Sequence, residues 1–174
     1  MNKRATPRLE RLSTGSSSLD QILGGGFPSG SVTVLMGEPG SGKTIFTLQM
    51  MFHLARQGNK CLYFATLSEP ALKVIRFMQQ CAFFDASLLD DRILLADLGS
   101  IIRTEGVDAA IARVRDRVER EEPAFVAIDS FKAMHTMTND PLRSRTIVYD
   151  LAVNVAGWEA TTFLVGEYLP SDLD

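Results

Sequence analysis

The chain has 174 residues, of which 45% are apolar and 22% charged, and its net charge at neutral pH is −3. This composition is typical of one compact globular domain, and it excludes a disordered chain and a strongly basic nucleic-acid-binding protein. The N-terminal sequence MNKRATPRLERLSTG is charged, and no run approaches the ~20 apolar residues of a membrane span, so we expect neither a secretory signal nor a membrane anchor.

Residues 1–30 contain serine and glycine runs with a few apolar anchors, and we expect a loop-rich segment there. Residues 31–174 then form the core of a single domain. Short apolar runs predict strands, and none alternates cleanly, as expected when helices cover both faces of a mostly parallel sheet. The predicted strands are SVTVLM (31–36), CLYFAT (61–66), RILLADL (92–98), AFVAID (124–129) and TTFLVGE (161–167).

Apolar residues at helical spacing predict helices between these strands. One such stripe contains Val107, Ala110, Ile111, Val114 and Val118, and a second contains Ile147, Val148, Leu151, Ala152 and Val155. Strands that alternate with helices indicate an α/β fold, whose ligand sites lie at the carboxyl ends of the strands. Cys61 and Cys81 form no CxxC pair, so we predict buried free thiols and a reducing cytoplasm.

The strongest chemical signal is GEPGSGKT, which follows the first predicted strand and opens a predicted helix. It satisfies G-x-x-x-x-G-K-[ST], in which glycines let backbone N–H groups surround phosphates at a helix amino end. In this pattern Lys43 contacts the β- and γ-phosphates and the Thr44 hydroxyl ligates Mg²⁺. The alternative is a glycine turn that happens to contain lysine. The predicted nucleotide-binding residues are Gly37, Glu38, Pro39, Gly40, Ser41, Gly42, Lys43 and Thr44.

Asp129 follows the apolar run AFVAI and is the predicted second metal ligand. At the carboxyl end of a strand it would lie beside a metal-bound triphosphate and hold Mg²⁺, through water, because magnesium keeps several waters of its own. The alternative is an aspartate that ends a strand and caps the next turn.

Several runs together resemble the KaiC-like ATPases of the RecA superfamily over roughly residues 10–170. They are STGSSSLDQILGGGFPSGSVTVLMGEPGSGKT, LYFATLSEP, VAIDSFKA and TTFLVGEY. The resemblance implies a RecA-like P-loop core with helices on both faces of the sheet, and ATP with Mg²⁺ as ligands. It also implies a homo-oligomeric ring or filament with active sites between subunits.

The resemblance maps the adjacent glutamates of the family onto Ser68 and Glu69, so the first glutamate is a serine here. Glu69 then remains the candidate for orienting the attacking water. Locally, Ser68 also predicts a helix N-cap, with Glu69 in the first turn and Pro70 tolerated beside it. Glu167, at the end of the last strand, matches the polar sensor of the γ-phosphate, and its alternative is an exposed strand-end carboxylate.

A second departure from the family pattern and two rival functions accompany this hypothesis. The chain ends at Asp174, before the final strands of a RecA-like core, so we expect a fragment. A recombination or repair ATPase would bind DNA near Lys132, Arg143 and Arg145, but these three cations make a weak footprint. A small-molecule P-loop kinase lacks support because no acceptor-binding lid is evident. The sequence therefore predicts a cytoplasmic Mg²⁺-dependent ATPase, with a slowly hydrolysing nucleotide switch as the alternative.

Overall fold

The computed structural model describes residues 10–66, 71–131, 157 and 159–167 of the chain. A short 3₁₀ turn over Ala86–Leu88 also belongs to this part. The strands and helices, in chain order, are β1 (Arg11–Leu12), α1 (Ser17–Ile22), β2 (Phe27–Pro28), β3 (Val32–Gly37), α2 (Lys43–Arg56), β4 (Cys61–Ala65), α3 (Ala71–Met78), β5 (Ile93–Asp97), α4 (Gly99–Thr104), α5 (Val107–Glu121), β6 (Phe125–Asp129) and β7 (Thr161–Glu167).

The five strands predicted from the sequence form one parallel sheet with the order β3-β7-β6-β4-β5. The register brings their carboxyl ends to the same edge. Gly37 of β3 pairs with Glu167 of β7, and Asp129 of β6 lies between Val165 and Ala65 of its two neighbours. Residues that follow these strands therefore meet at one place, as a parallel α/β sheet requires.

The core has one apolar cluster on each face of the sheet. Helix α5 covers one face, and its predicted stripe is confirmed, since Ala110 and Val114 are completely buried. Helix α2 covers the other face with Leu48 and Phe52, which are also completely buried. Burial of a side chain the size of Val114, Leu48 or Phe52 contributes about 1.5–3 kcal/mol, so both helices are held firmly against the sheet.

Strand β3 differs from the central strands. Every residue of β4 is buried, as expected for a strand covered on both faces. In β3, which lies at an edge of the described sheet, Val32, Val34 and Met36 are 40%, 48% and 48% exposed. These three residues alternate along the strand and lie on one face, so the expected cover on both faces does not extend to β3 within the described part.

The N-terminal segment has more regular structure than its serine and glycine content predicts. Strands β1 and β2 pair antiparallel, and Ser16 caps α1 by accepting from Leu19 N. Phe27 of β2 packs edge-on against Phe163 with ring centres 4.8 Å apart, which anchors the segment to the core.

Two other predictions have different outcomes. Both cysteines are free, but only Cys61 is buried, and the prediction was wrong for Cys81, which is partly exposed. The second predicted helical stripe, over residues 147–155, lies outside the described residues.

Candidate nucleotide-binding site

The loop between β3 and α2 has the backbone that a phosphate-binding loop needs. Gly40 and Gly42 have φ angles of +77° and +89°, a conformation that other residues adopt only with strain. Gly42 is the N-cap, so α2 begins at Lys43. The first N–H groups of a helix have no partner inside the helix, and together they give that end a partial positive charge. An anion is therefore favoured at this end of the loop.

Lys43 is folded into this loop and is only 9% exposed. Its Nζ donates to the backbone oxygens of Gly37 at 2.9 Å and Glu38 at 2.8 Å, and to the Ser41 hydroxyl at 3.3 Å. A phosphate oxygen accepts stronger, charge-assisted hydrogen bonds than these neutral acceptors. The ammonium group is thus held within the loop by contacts that a phosphate can replace.

Thr44 and Asp129 meet although 85 positions separate them in the chain. The Thr44 hydroxyl donates to Asp129 Oδ2 at 2.6 Å, and the Tyr63 hydroxyl donates to the same oxygen at 2.9 Å. Tyr63 was not predicted from the sequence, although a hydroxyl in an otherwise apolar strand is the available signal. Both donors hold the Asp129 carboxylate at the carboxyl end of β6 beside the first turn of α2.

The residues that follow β4 and β6 are tied together beside Asp129. Thr66 N donates to the Asp129 backbone oxygen at 2.8 Å, and Ser130 N donates to Thr66 Oγ1 at 2.8 Å. Thr66 Oγ1 in turn donates to the Ser130 backbone oxygen at 3.1 Å. Because Thr66 and Ser130 are 2% and 6% exposed, water does not compete well for these bonds, and the backbone that carries Asp129 is rigidly placed.

A cavity of about 290 Å³ opens between the loop, the strand ends and α3. Six of the residues that line it were predicted from the sequence as site residues: Gly40, Gly42, Lys43, Thr44, Asp129 and Glu167. Its other lining residues, Ile45, Lys73 and Phe77, were not identified from the sequence. Lys73 and Phe77 lie one turn apart on α3, and only the packing of that helix shows which of its faces turns to the cavity.

Other predicted site residues lie outside this lining. Glu38 and Pro39 are exposed residues of the loop. Gly37 and Ser41 each provide an oxygen that accepts a hydrogen bond from Lys43. Ser68 and Glu69 lie outside the described residues. The same holds for the candidate DNA-binding residues Lys132, Arg143 and Arg145.

A hydrogen-bond network joins the N-terminal segment to α2. Asp20 accepts from the Ser13 hydroxyl at 2.6 Å and from Thr14 N and Oγ1 at 2.8 and 2.7 Å. Ser13 Oγ also lies 3.1 Å from His53 Nε2, which connects the N-terminal segment to α2. Burial raises the pKa of Asp20, but the hydrogen bonds from Ser13 and Thr14 and the nearby His53 outweigh it, so this pKa lies below its ordinary value.

The chain is similar to known proteins over most of its length. Residues 12–171 match the family described as the KaiC ATPase. DNA repair protein RadA of Mycobacterium tuberculosis is 31% identical over 162 residues, which cover 88% of this chain and 30% of RadA. A UPF0273 protein of Methanopyrus kandleri is 28% identical over 173 residues, which cover 91% of this chain and 68% of that protein. The chain therefore spans less than a third of the RadA relative.

A solved structure supports the same fold. A KaiC-like protein from the hyperthermophilic archaeon Pyrococcus horikoshii superposes with a TM-score of 0.80 at 24% identity, over 92% of this chain and 72% of that protein. Within the described part of the chain, no helix is both long and apolar enough to cross a membrane. Because the family match extends over most of the sequence, the chain belongs to the KaiC family of ATPases.

Proposed function

We propose that the chain binds ATP with Mg²⁺ and hydrolyses it to ADP and phosphate, as a single RecA/KaiC-like domain. One observation carries this proposal. Lys43, Thr44, Asp129 and Glu167 line one cavity at the carboxyl ends of the strands, and Thr44 and Asp129 are in direct contact at 2.6 Å. A cation, a hydroxyl and carboxylates beside a phosphate-binding loop are the groups that phosphoryl transfer uses.

The loop supplies phosphate binding. The glycine backbone leaves the helix amino end open, and Lys43 adds a full positive charge 2.9 Å from the carbonyl oxygen of Gly37. Preorganised donors of this kind stabilise negative charge where it develops in the transition state, and they need no rearrangement when the reaction occurs. Most of the rate enhancement is therefore assigned to positioning and charge neutralisation.

The Thr44 and Asp129 oxygens fit a magnesium ion. Among the described residues no group of three or more His, Cys, Asp and Glu side chains forms a metal site. Magnesium needs no such group, because it is usually held by one or two protein oxygens, phosphate oxygens and water. Bound there, the ion would neutralise charge on the phosphates. Tyr63 holds the Asp129 carboxylate in place through its hydroxyl at 2.9 Å.

Two carboxylates are assigned to the attacking water and the γ-phosphate. Glu167 is at the end of β7, lines the cavity, and is proposed as the polar group that senses the γ-phosphate. Glu69 is proposed to orient the water, because the resemblance leaves it as the remaining carboxylate of the glutamate pair that the family carries. If Glu69 does this poorly, hydrolysis is slow and the protein acts as a nucleotide switch.

The proposal also covers the oligomeric state of the protein and its location in the cell. We assign the active protein to a homo-oligomeric ring or filament in which a neighbouring subunit completes the site, as the family membership suggests. ATP supply and the free thiols of Cys61 and Cys81 both fit the cytoplasm.

A DNA-repair ATPase is the second candidate. It is favoured by the relative called DNA repair protein RadA, which is 31% identical to the chain. The net charge of −3 argues against a large DNA-binding surface on this segment alone. A filter-binding assay with single-stranded DNA at physiological salt tests it, and retention that depends on ATP is the result that this candidate requires.

Calorimetric titration with MgATP tests the leading proposal. Lys43→Ala should weaken ATP binding beyond about 30-fold, because a charge-assisted hydrogen bond contributes about 2 kcal/mol or more. Lys60→Ala is the matched control. Lys60 precedes β4 at the opposite end of the sheet and pairs with Glu121 at 3.3 Å. Equal ATP affinity in the two variants would contradict the assignment of this loop as the phosphate-binding loop.

Phosphate release from the assembled protein separates the ATPase from the switch. Ser68→Glu restores the first of the two adjacent glutamates that the family carries. A large gain in phosphate release in this variant would show that a base is missing in the natural chain. Fast phosphate release by the natural chain would rule out the nucleotide switch.

A further inference from the structure

Helix α3 presents one face to the core and another to the nucleotide cavity. Val74 and Met78 are 2% and 0% exposed and pack in the apolar cluster beneath α2. Lys73 and Phe77, which are also four positions apart, line the cavity. Side chains at this spacing lie one above the other on a helix. Because the buried pair sets the rotation of α3, Lys73 and Phe77 are held at the cavity by core packing.

Phe77 is an exposed aromatic residue in the lining of the cavity. It is 55% exposed, and in the part of the chain that the structure describes it is the one aromatic residue among the exposed large apolar side chains. Ile45 of α2 lines the same cavity. A single exposed apolar residue needs no explanation by itself, but here an aromatic ring stands at the rim of a phosphate-binding cavity. A nucleobase offers the flat apolar face that stacks on such a ring.

The size and charge of the cavity support this arrangement. A volume of about 290 Å³ is near the lower end of small-molecule pockets. It leaves space for phosphates at the loop, so the base of a nucleotide would extend to the open rim where Phe77 lies. The lining contains two cations, Lys43 and Lys73, and two carboxylates, Asp129 and Glu167. An incoming triphosphate is negatively charged even with its magnesium, and a second lysine favours it.

The geometry points to α3 as the base-side wall of the nucleotide site. Phe77 stacks on the base of a nucleoside triphosphate, with Ile45 beside it, and Lys73 contacts the phosphates. This inference rests on the proposed function, because it needs phosphates at the loop. It adds a specificity role for Phe77 and a binding role for Lys73. It also explains why a helix with two well-buried residues leaves an aromatic side chain in solvent.

Two ligands separate stacking from phosphate binding. Inorganic tripolyphosphate has the phosphates of ATP without its base, so calorimetric titrations of both, with Mg²⁺, are made on the full chain. Phe77→Ala should weaken ATP binding by roughly 5- to 100-fold, the range expected for loss of one base–aromatic stack, and leave tripolyphosphate within about twofold. Phe77→Tyr, which keeps the ring, should retain the affinity for ATP. Lys73→Met should weaken both ligands by a similar factor of about three to ten.

Ile22→Ala is the control, since Ile22 is 81% exposed and does not line the cavity. It should change neither affinity. The inference is overturned if Phe77→Ala weakens ATP and tripolyphosphate equally, or leaves ATP unchanged. It is also overturned if the natural chain binds tripolyphosphate as tightly as ATP, although the phosphate site would then stand. Failure of the natural chain to bind either ligand would instead reject the proposed function, and this inference with it.

Discussion

The hydrogen bond from Tyr63 to Asp129 offers a sharp test of how the site is built. The Tyr63 hydroxyl lies 2.9 Å from Asp129 Oδ2, and Tyr63 is 2% exposed. Tyr63→Phe removes one oxygen and keeps the ring that packs in the core. A buried hydrogen bond to a carboxylate contributes about 1.5 kcal/mol or more, so we expect this loss in the free energy of unfolding. For a domain of this size the melting temperature should fall by roughly 3 to 6 °C.

A double-mutant cycle attributes that loss to Asp129. Urea unfolding at 25 °C is measured for the natural chain, Tyr63→Phe, Asp129→Ala and the double variant. If the two side chains interact as described, the substitutions should couple by about 1 kcal/mol, and Tyr63→Phe should cost little once the carboxylate is gone. An equal cost in both backgrounds would refute the claim that the Tyr63 hydroxyl stabilises the protein through Asp129.

Three further predictions concern other parts of the chain. Gly42→Ala and Gly58→Ala both place alanine at a φ of +89°, so each should cost about 1–2 kcal/mol, but only Gly42→Ala should weaken ATP binding; equal ATP affinities in calorimetry would contradict the role of Gly42. The pKa of Asp20 is lowered, because its hydrogen bonds outweigh the effect of burial, so its stabilising contribution is present above about pH 4 and lost as the pH falls below it. Asp20→Asn should therefore flatten the acid side of the melting profile, and an unchanged profile would count against this. Burial raises the pKa of Cys61 to about 12 whereas Cys81 is partly exposed, so one thiol should react with Ellman's reagent at pH 8 in the native protein; two rapidly reacting thiols would show that the core opens.

The sequence predicts the fold well where the signal is local. The five apolar runs become the five parallel strands with ends shifted by about one residue, because strand composition and turn residues act over a few positions. The exposure of β3 was not predicted. Its run SVTVLM reads like those of the buried strands, and only its place at the edge of the described sheet distinguishes it.

The residues of the candidate site were likewise predicted where the signal is local and missed where it depends on tertiary packing. Lys43 and Thr44 are recognised from one motif, since a phosphate loop is continuous in the chain. Tyr63 was missed because its contact with Asp129 joins positions 66 residues apart and depends on the parallel register of β4 and β6. Lys73 and Phe77 were missed because the sequence of α3 does not show how tertiary packing turns the helix toward the loop.

Magnesium-dependent ATP binding by the natural chain tests the central claim most directly. Calorimetric titration with ATP is made in Mg²⁺ and in EDTA, alongside Asp129→Ala. We predict saturable binding that Mg²⁺ tightens by at least about tenfold, equal to about 1.4 kcal/mol, and a gain that disappears in Asp129→Ala because the oxygen 2.6 Å from Thr44 Oγ1 is lost. No binding of ATP, or an affinity that Mg²⁺ and Asp129→Ala leave unchanged, would contradict the account.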